Sequence, residues 1–271
     1  NEKYTTFLNM LPVVRFLCIV YAPDSYYMVF LFTIYLLHVM MFMVRVALHF
    51  SIDAVLEVCI MAFDFKKEYK EFYMPKCAPG IVDVPRANYI AVRGKGNPNE
   101  EGGAYKKAIE VLYAVAYTLR MSRKAGHEID GFFEYVVPPL EGFWWQDGVD
   151  GVDYSSKETF NWISVIRLPD FITKADFDWA VATASKKKGI DCFCAEFLTL
   201  DEGLCVQTMH EGPFDDEPAT IALMDAFVSD NGYENDFSST RRHHEMYLSD
   251  ARKVAPEKWR TVIRHPVRKV C

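Results

Sequence analysis

Two stretches of this chain follow one plan, and that repetition narrows the folds open to it. Residues 90–96 read as a strand ending in Gly96, followed by an acidic turn, a helix and then Phe133-Glu134-Tyr135. Residues 206–212 read as a strand ending in Gly212, followed by Asp215-Asp216-Glu217, a helix and then His244-Glu245-Met246-Tyr247. Strands alternating with single helices predict an α+β fold of two tandem, pseudo-symmetric strand–helix–strand modules. Their sheets would meet at one central cleft, and each module would bring a glutamate-bearing strand to it.

Local signals support this division. Ile109, Leu112, Ala116 and Leu119 recur at spacings of three and four, predicting a helix over 103–121. Before it, Gly96-Asn97-Pro98-Asn99 is a turn built from a flexible glycine, a self-bonding asparagine and a φ-fixing proline. It lacks both the GK[ST] ending of a phosphate loop and the third glycine of a dinucleotide fingerprint. Phe132 to Val137 alternates as a strand. Thr173-x-x-Asp176 opens a second helix with a capping box, and Lys186-Lys187-Lys188 closes it where the helix dipole favours cations. Asp201-Glu202-Gly203 reads as a hairpin between strands at Cys192–Thr199 and Leu204–His210. Pro218 suits the first turn of a third helix.

Residues 1–60 differ from the rest. Ser25 to Val44 is an uncharged run long enough to span a bilayer, closed by Arg45 and followed by no clean cleavage site. Met61 then opens Met61-Ala62-Phe63-Asp64-Phe65-Lys66-Lys67-Glu68-Tyr69-Lys70, which reads as the amino terminus of a soluble protein. Residues 1–60 are therefore expected to be a hydrophobic extension, either a membrane anchor at 25–44 or upstream sequence, and 61–271 the functional domain. The expected location is the cytoplasm, or the membrane surface if the anchor is genuine. The expected assembly is a monomer or weak dimer.

The formal net charge of −7 argues against direct nucleic-acid binding, which needs a basic face. Seven cysteines form no CxxC pair. Cys192-x-Cys194 alone does not make a zinc site, so reduced thiols are expected.

Chemistry concentrates in two places. Pro138-Pro139-Leu140-Glu141-Gly142-Phe143-Trp144-Trp145 joins three aromatics and a carboxylate, the mixed lining of a ligand pocket. Farther on, Glu245 and Tyr247 share a strand face with His243, a carboxylate and a phenol able to work together on a proton. His243 and Glu245 have the i, i+2 spacing of a metal pair, yet no third ligand is evident; neither metal nor cofactor is expected.

Taken in order, Arg93-Gly94-x-Gly96-Asn97-Pro98-Asn99, Pro139-Leu140-Glu141-Gly142-x-Trp144, Trp162-Ile163-Ser164, Val206-Gln207-x-Met209-His210-x-Gly212-Pro213-Phe214-Asp215-Asp216-Glu217-Pro218 and His243-His244-Glu245-Met246-Tyr247-Leu248-Ser249-Asp250 resemble the GyrI-like small-molecule-binding family. The resemblance runs from Met61 to about Arg268. It implies paired strand–helix–strand–strand modules around a ligand cleft that takes hydrophobic, often cationic or aromatic compounds. The paired tryptophans resemble a stand-alone subfamily, the cyclopropanoid cyclopropyl hydrolases, which open the cyclopropane of yatakemycin-type antibiotics with water. That resemblance implies Glu245 as the cleft carboxylate and Trp144, Trp145 and Trp162 as cage walls. Tyr247 joins Glu245 as a catalytic candidate by shared face, and Glu141 and Tyr135 join the ligand-binding set by proximity. A drug-sequestering binder without chemistry and a gyrase-inhibitor-like interaction protein remain as alternatives.

Overall fold

The computed structural model describes residues 35–44, 62–149 and 152–270. Residues 35–44 are helical with exposed side chains. Among the described residues no helix is long and apolar enough to cross a membrane; residues 25–34 of the expected span lie outside them.

From Ala62 onward the chain is one compact unit. Its elements are α1 (Phe65–Glu68), α2 (Lys70–Tyr73), β1 (Gly80–Val84), β2 (Ala87–Lys95), α3 (Ala104–Arg120), β3 (Leu140–Trp145), β4 (Asn161–Arg167), α4 (Lys174–Lys188), β5 (Glu196–Leu200), β6 (Gly203–Glu211), α5 (Glu217–Asp230), β7 (Tyr233–Asn235), β8 (His243–Tyr247) and β9 (Arg260–Lys269). The expected α+β modules are β2-α3-β3-β4 and β6-α5-β8-β9. Helix α4 starts at the predicted capping box, where the Thr173 hydroxyl accepts from the Asp176 amide and Asp176 accepts in return. It ends at Gly189, which takes the left-handed conformation (φ 68°) that spares a Cβ clash.

The strands form one sheet in the order β1-β6-β9-β8-β3-β4-β2-β5, with β7 paired to β9. At its centre the modules join through the antiparallel pair β3–β8, where Gly142 faces Glu245. The ends of the path also join. Val84 of β1 pairs with Gly203 of β6, and past a two-residue bend Ala87 of β2 pairs with Leu200 of β5. The register is continuous across the bend, so β1–β2 and β5–β6 act as two long bent strands that close the sheet on itself.

This closure corrects the expected hairpin. Asp201-Glu202 does not fold β5 back on β6; it bends one strand opposite Pro85-Arg86. Pro85 has no amide proton for a ladder bond, so a break belongs there. The strand expected at Phe132–Val137 is also absent. That segment makes a single bridge, Phe63 to Tyr135, and the regular strand begins after the two prolines, at Leu140. Of the described cysteines, Cys192 and Cys205 are buried while Cys77 and Cys194 are exposed thiols.

The two faces of the sheet differ. On the outer face, α3 packs over Ile90, Val92, Trp162 and Ile166, and α5 covers Val206 and Ile263 with Met224 and Val228. On the inner face, Phe65, Phe72 and Tyr73 meet Cys205, Met209, Met246 and Val262. A polar network crosses this inner face. The Tyr73 hydroxyl donates to Glu141 (2.8 Å), and His244 bridges Glu141 (3.0 Å) and Glu202 (2.9 Å). Arg264 adds an ion pair to Glu202 at 2.8 Å. Burial works against the Glu202 charge, but His244 and Arg264 outweigh it and hold the carboxyl down at about 2.

Removing one partner of such a buried pair costs about 3–5 kcal/mol, so Glu202→Gln should destabilise the protein by that order in urea unfolding. The depressed pKa fixes the sign of the pH effect. The Glu202 contribution is complete above the ordinary value of 4.5 and is lost as pH falls toward about 2. The variant should therefore show a shallower loss of stability across that window than the parent.

Candidate functional site between the modules

The first turns of α3 and α5 lie over the outer face of β3–β8, and the side chains that carry chemistry gather there. Alternation along β8 turns His243, Glu245 and Tyr247 outward and His244 and Met246 inward. Glu245 is held at both oxygens: Tyr247 donates its hydroxyl proton to Oε2 (2.7 Å), and His243 Nε2 lies 2.8 Å from Oε1. The Trp144 indole N–H donates to the Tyr247 oxygen (2.9 Å). Behind His243, Nδ1 meets His265 Nε2 at 2.7 Å.

Glu217, the first residue of α5, reaches the same place from the helix side. Its Oε2 accepts the Tyr154 hydroxyl proton (2.8 Å), while Oε1 is buried without a partner. Each of Glu217, His243 and Glu245 offers one ligand atom in a group lying within 4.8 Å of one another. Burial, reinforced by the charge of Glu245, pushes the Glu217 carboxyl well above its usual range. Burial and the same charge push the Tyr247 phenol up, as they do Tyr154. Both phenols therefore act as donors.

Aromatic rings adjoin this polar group on the β3 side. Tyr105, in the first turn of α3, packs tilted on Trp144 (centroids 5.3 Å apart) and edge-on to Trp162 (5.2 Å). Phe160 meets Trp144 edge-on (5.6 Å). Two glycines make room for these rings. A Cβ on Gly94 would fall 2.2 Å from the Trp162 ring, and one on Gly142 would fall 2.7 Å from Trp144 Nε1 and 3.0 Å from the Tyr247 oxygen.

Among the residues singled out in the sequence, Trp144, Trp162, Glu245 and Tyr247 come together here. The other three do not join them, which corrects the expectation of a shared wall. Glu141 and Trp145 alternate onto the opposite face of β3: Glu141 bonds Tyr73 and His244, and Trp145 stacks under Arg242, whose guanidinium carbon is 3.5 Å from the ring centroid. A contiguous octet folds as a strand, and a strand sends neighbours to opposite sides. Tyr135 sits in the irregular segment against Phe132 and Phe171.

Sequence reading missed Glu217, Tyr154, Tyr105 and His265. A signal for Glu217 was present in its motif. His210 Nε2 lies 3.0 Å from the Pro213 carbonyl, and Nδ1 lies 2.8 Å from the Thr220 hydroxyl. The imidazole thus ties the Gly212-Pro213 turn to α5 and sets where Glu217 begins the helix. Phe214 from this turn packs edge-on to Tyr247 (5.6 Å).

Residues 78–268 match the model of the GyrI-like small molecule binding domain. The chain belongs to that family of small-molecule-binding proteins. Among solved structures, it is similar to a hydrolase from Listeria innocua, with 44% identity and a TM-score of 0.69 over 76% of this chain and all of that one. It is also similar to an uncharacterized conserved protein from Listeria innocua, with 45% identity and a TM-score of 0.72 over 76% of this chain and all of that one. No curated protein sequence matches the chain.

Gly142→Ala tests the packing of this site. With Trp144 and Tyr247 in its way, the new methyl group should force both to shift, an overpacking cost of about 1–3 kcal/mol. Near-ultraviolet circular dichroism should change with it. An unaltered aromatic spectrum at parental stability would show that the Trp144–Tyr247 contact does not depend on this glycine.

Proposed function

We propose that the domain binds planar, hydrophobic aromatic compounds against Trp144, Tyr105 and Trp162 and opens a strained ring in them with water. The observation that carries this reading is the position of Glu245, a buried carboxyl fixed at both oxygens beside a group of aromatic rings. Similarity to a Listeria innocua hydrolase over three quarters of the chain supports it.

Stacking on the rings fixes the ligand, and Glu245 accepts a proton from the attacking water. The water oxygen bonds to a cyclopropane carbon. The cleaved carbon–carbon bond passes its electron pair into the conjugated dienone, whose oxygen becomes a phenolate and needs a donor. Tyr247 was the first candidate for that role, but its single proton is directed at Glu245 Oε2. Tyr247 is therefore assigned to holding the carboxylate. The donor role passes to Tyr105, a phenol that burial keeps protonated and that packs on both tryptophans.

Two substitutions separate binding from chemistry. Trp144→Ala should weaken a planar aromatic ligand by about 1–3 kcal/mol, the value of one stacking platform, read by fluorescence titration. Glu245→Gln keeps shape and removes basicity, so turnover should fall about 10²–10⁴-fold with affinity little changed, read by product analysis of a cyclopropane-bearing aromatic substrate. An undiminished rate in Glu245→Gln refutes the assignment. Binding by the parent without any product makes the domain a sequestering protein instead.

A further inference from the structure

The mutually facing groups of Glu217, His243 and Glu245 come from two elements, the start of α5 and strand β8. We propose that they form a site for a first-row divalent cation, with zinc the first expectation. Two carboxylates and one imidazole are a ligand set that zinc accepts, and three protein ligands leave a coordination position open.

A cluster of this composition is not by itself a site; the supports around it are what distinguish this one. In built metal sites, each ligand's other polar atom is held by a neighbour that orients it. All three ligands here have such a neighbour. Tyr154 donates to Glu217 Oε2, leaving Oε1 turned in and unpartnered. Tyr247 donates to Glu245 Oε2, leaving Oε1 turned in. His243 Nδ1 is engaged by His265 Nε2; without a cation Nε2 donates to Glu245 Oε1, and a cation would take that position with the ring proton on Nδ1.

The electrostatics agree. Among the described residues neither carboxyl is bonded to a lysine or arginine, so two buried carboxylates share one imidazole as their only basic partner. A divalent cation would add the positive charge that no lysine or arginine supplies there. The sequence offered His243 and Glu245 without a third ligand; the fold brings Glu217 to them.

The cation site shares Glu245 with the proposed reaction but needs no organic ligand, so the two readings fail separately. The full chain, stripped with a chelator and dialysed, is titrated with zinc by calorimetry and with cobalt by visible absorption. One equivalent of zinc should bind and raise the thermal midpoint. Glu217→Gln and His243→Gln should each lose that binding, and Tyr154→Phe, which frees one ligand from its support, should weaken it about 10–100-fold. Absence of saturable binding overturns the proposal. So does binding that survives both ligand substitutions, or that is lost in Cys194→Ser, an exposed thiol elsewhere. Should a variant fail to fold, the parent's cobalt spectrum decides. Visible bands of low-symmetry oxygen–nitrogen coordination support the site, and a thiolate charge-transfer band overturns it.

Discussion

The pairing of β3 with β8 is the interaction on which the rest depends. Among the described residues it is the seam that joins the β3-β4-β2 half of the sheet to the β8-β9-β6 half at the centre, and its register sets Gly142 against Glu245. A slip of one residue would turn Glu245 inward and His244 outward, since side chains alternate along a strand. The closure of the sheet through β1–β6 and β2–β5 opposes such a slip, because both halves are tied again at their far edges.

The two sides of that central pair solve the same electrostatic problem differently. Inside, Glu141 and Glu202 share His244, and Arg264 completes the pairing. Both inner carboxylates are bonded at both oxygens. Outside, Glu217 and Glu245 are supported by phenols and one imidazole, with Glu217 Oε1 left without a partner. A buried polar atom without a partner is costly, and proteins keep such atoms where a ligand or a proton will use them. That contrast is the reason the proposed site is placed on the outer side.

Much of this was legible in the sequence, and the misses share a physical cause. Modules, helix limits and the capping box at Thr173 are written in local patterns, which one strand or helix decides alone. His243, Glu245 and Tyr247 were grouped correctly on one face because period-two alternation is local too. Proximity in sequence misled wherever the chain is extended: Glu141 and Trp145 neighbour the site residues in the chain but project to the other side of the sheet. The hairpin at Asp201 was misread because its turn chemistry is the same whether a strand folds back or merely bends. Only the distant partner, β1–β2, decides that. Tyr154 meets Glu217 through tertiary packing alone, with no local pattern to announce it.

The two modules are alike in fold and unlike in what they contribute. Tyr105, Trp144 and Trp162 belong to β2-α3-β3-β4, as does the supporting phenol of Tyr154; Glu217, His243, Glu245, Tyr247 and His265, the carboxylates and imidazoles among them, belong to β6-α5-β8-β9. On the outer face Trp144 and Tyr247 bond across the seam, as His244 and Glu141 do on the inner face. On the proposed reading, the rings that select a ligand's shape and the carboxylate that acts on it are thus housed in separate halves. Substitutions that reshape the first half can retune what is admitted while the reactive groups keep their geometry. Two modules of one fold would in this way divide the labour, one admitting the ligand while the other keeps its reactive geometry fixed.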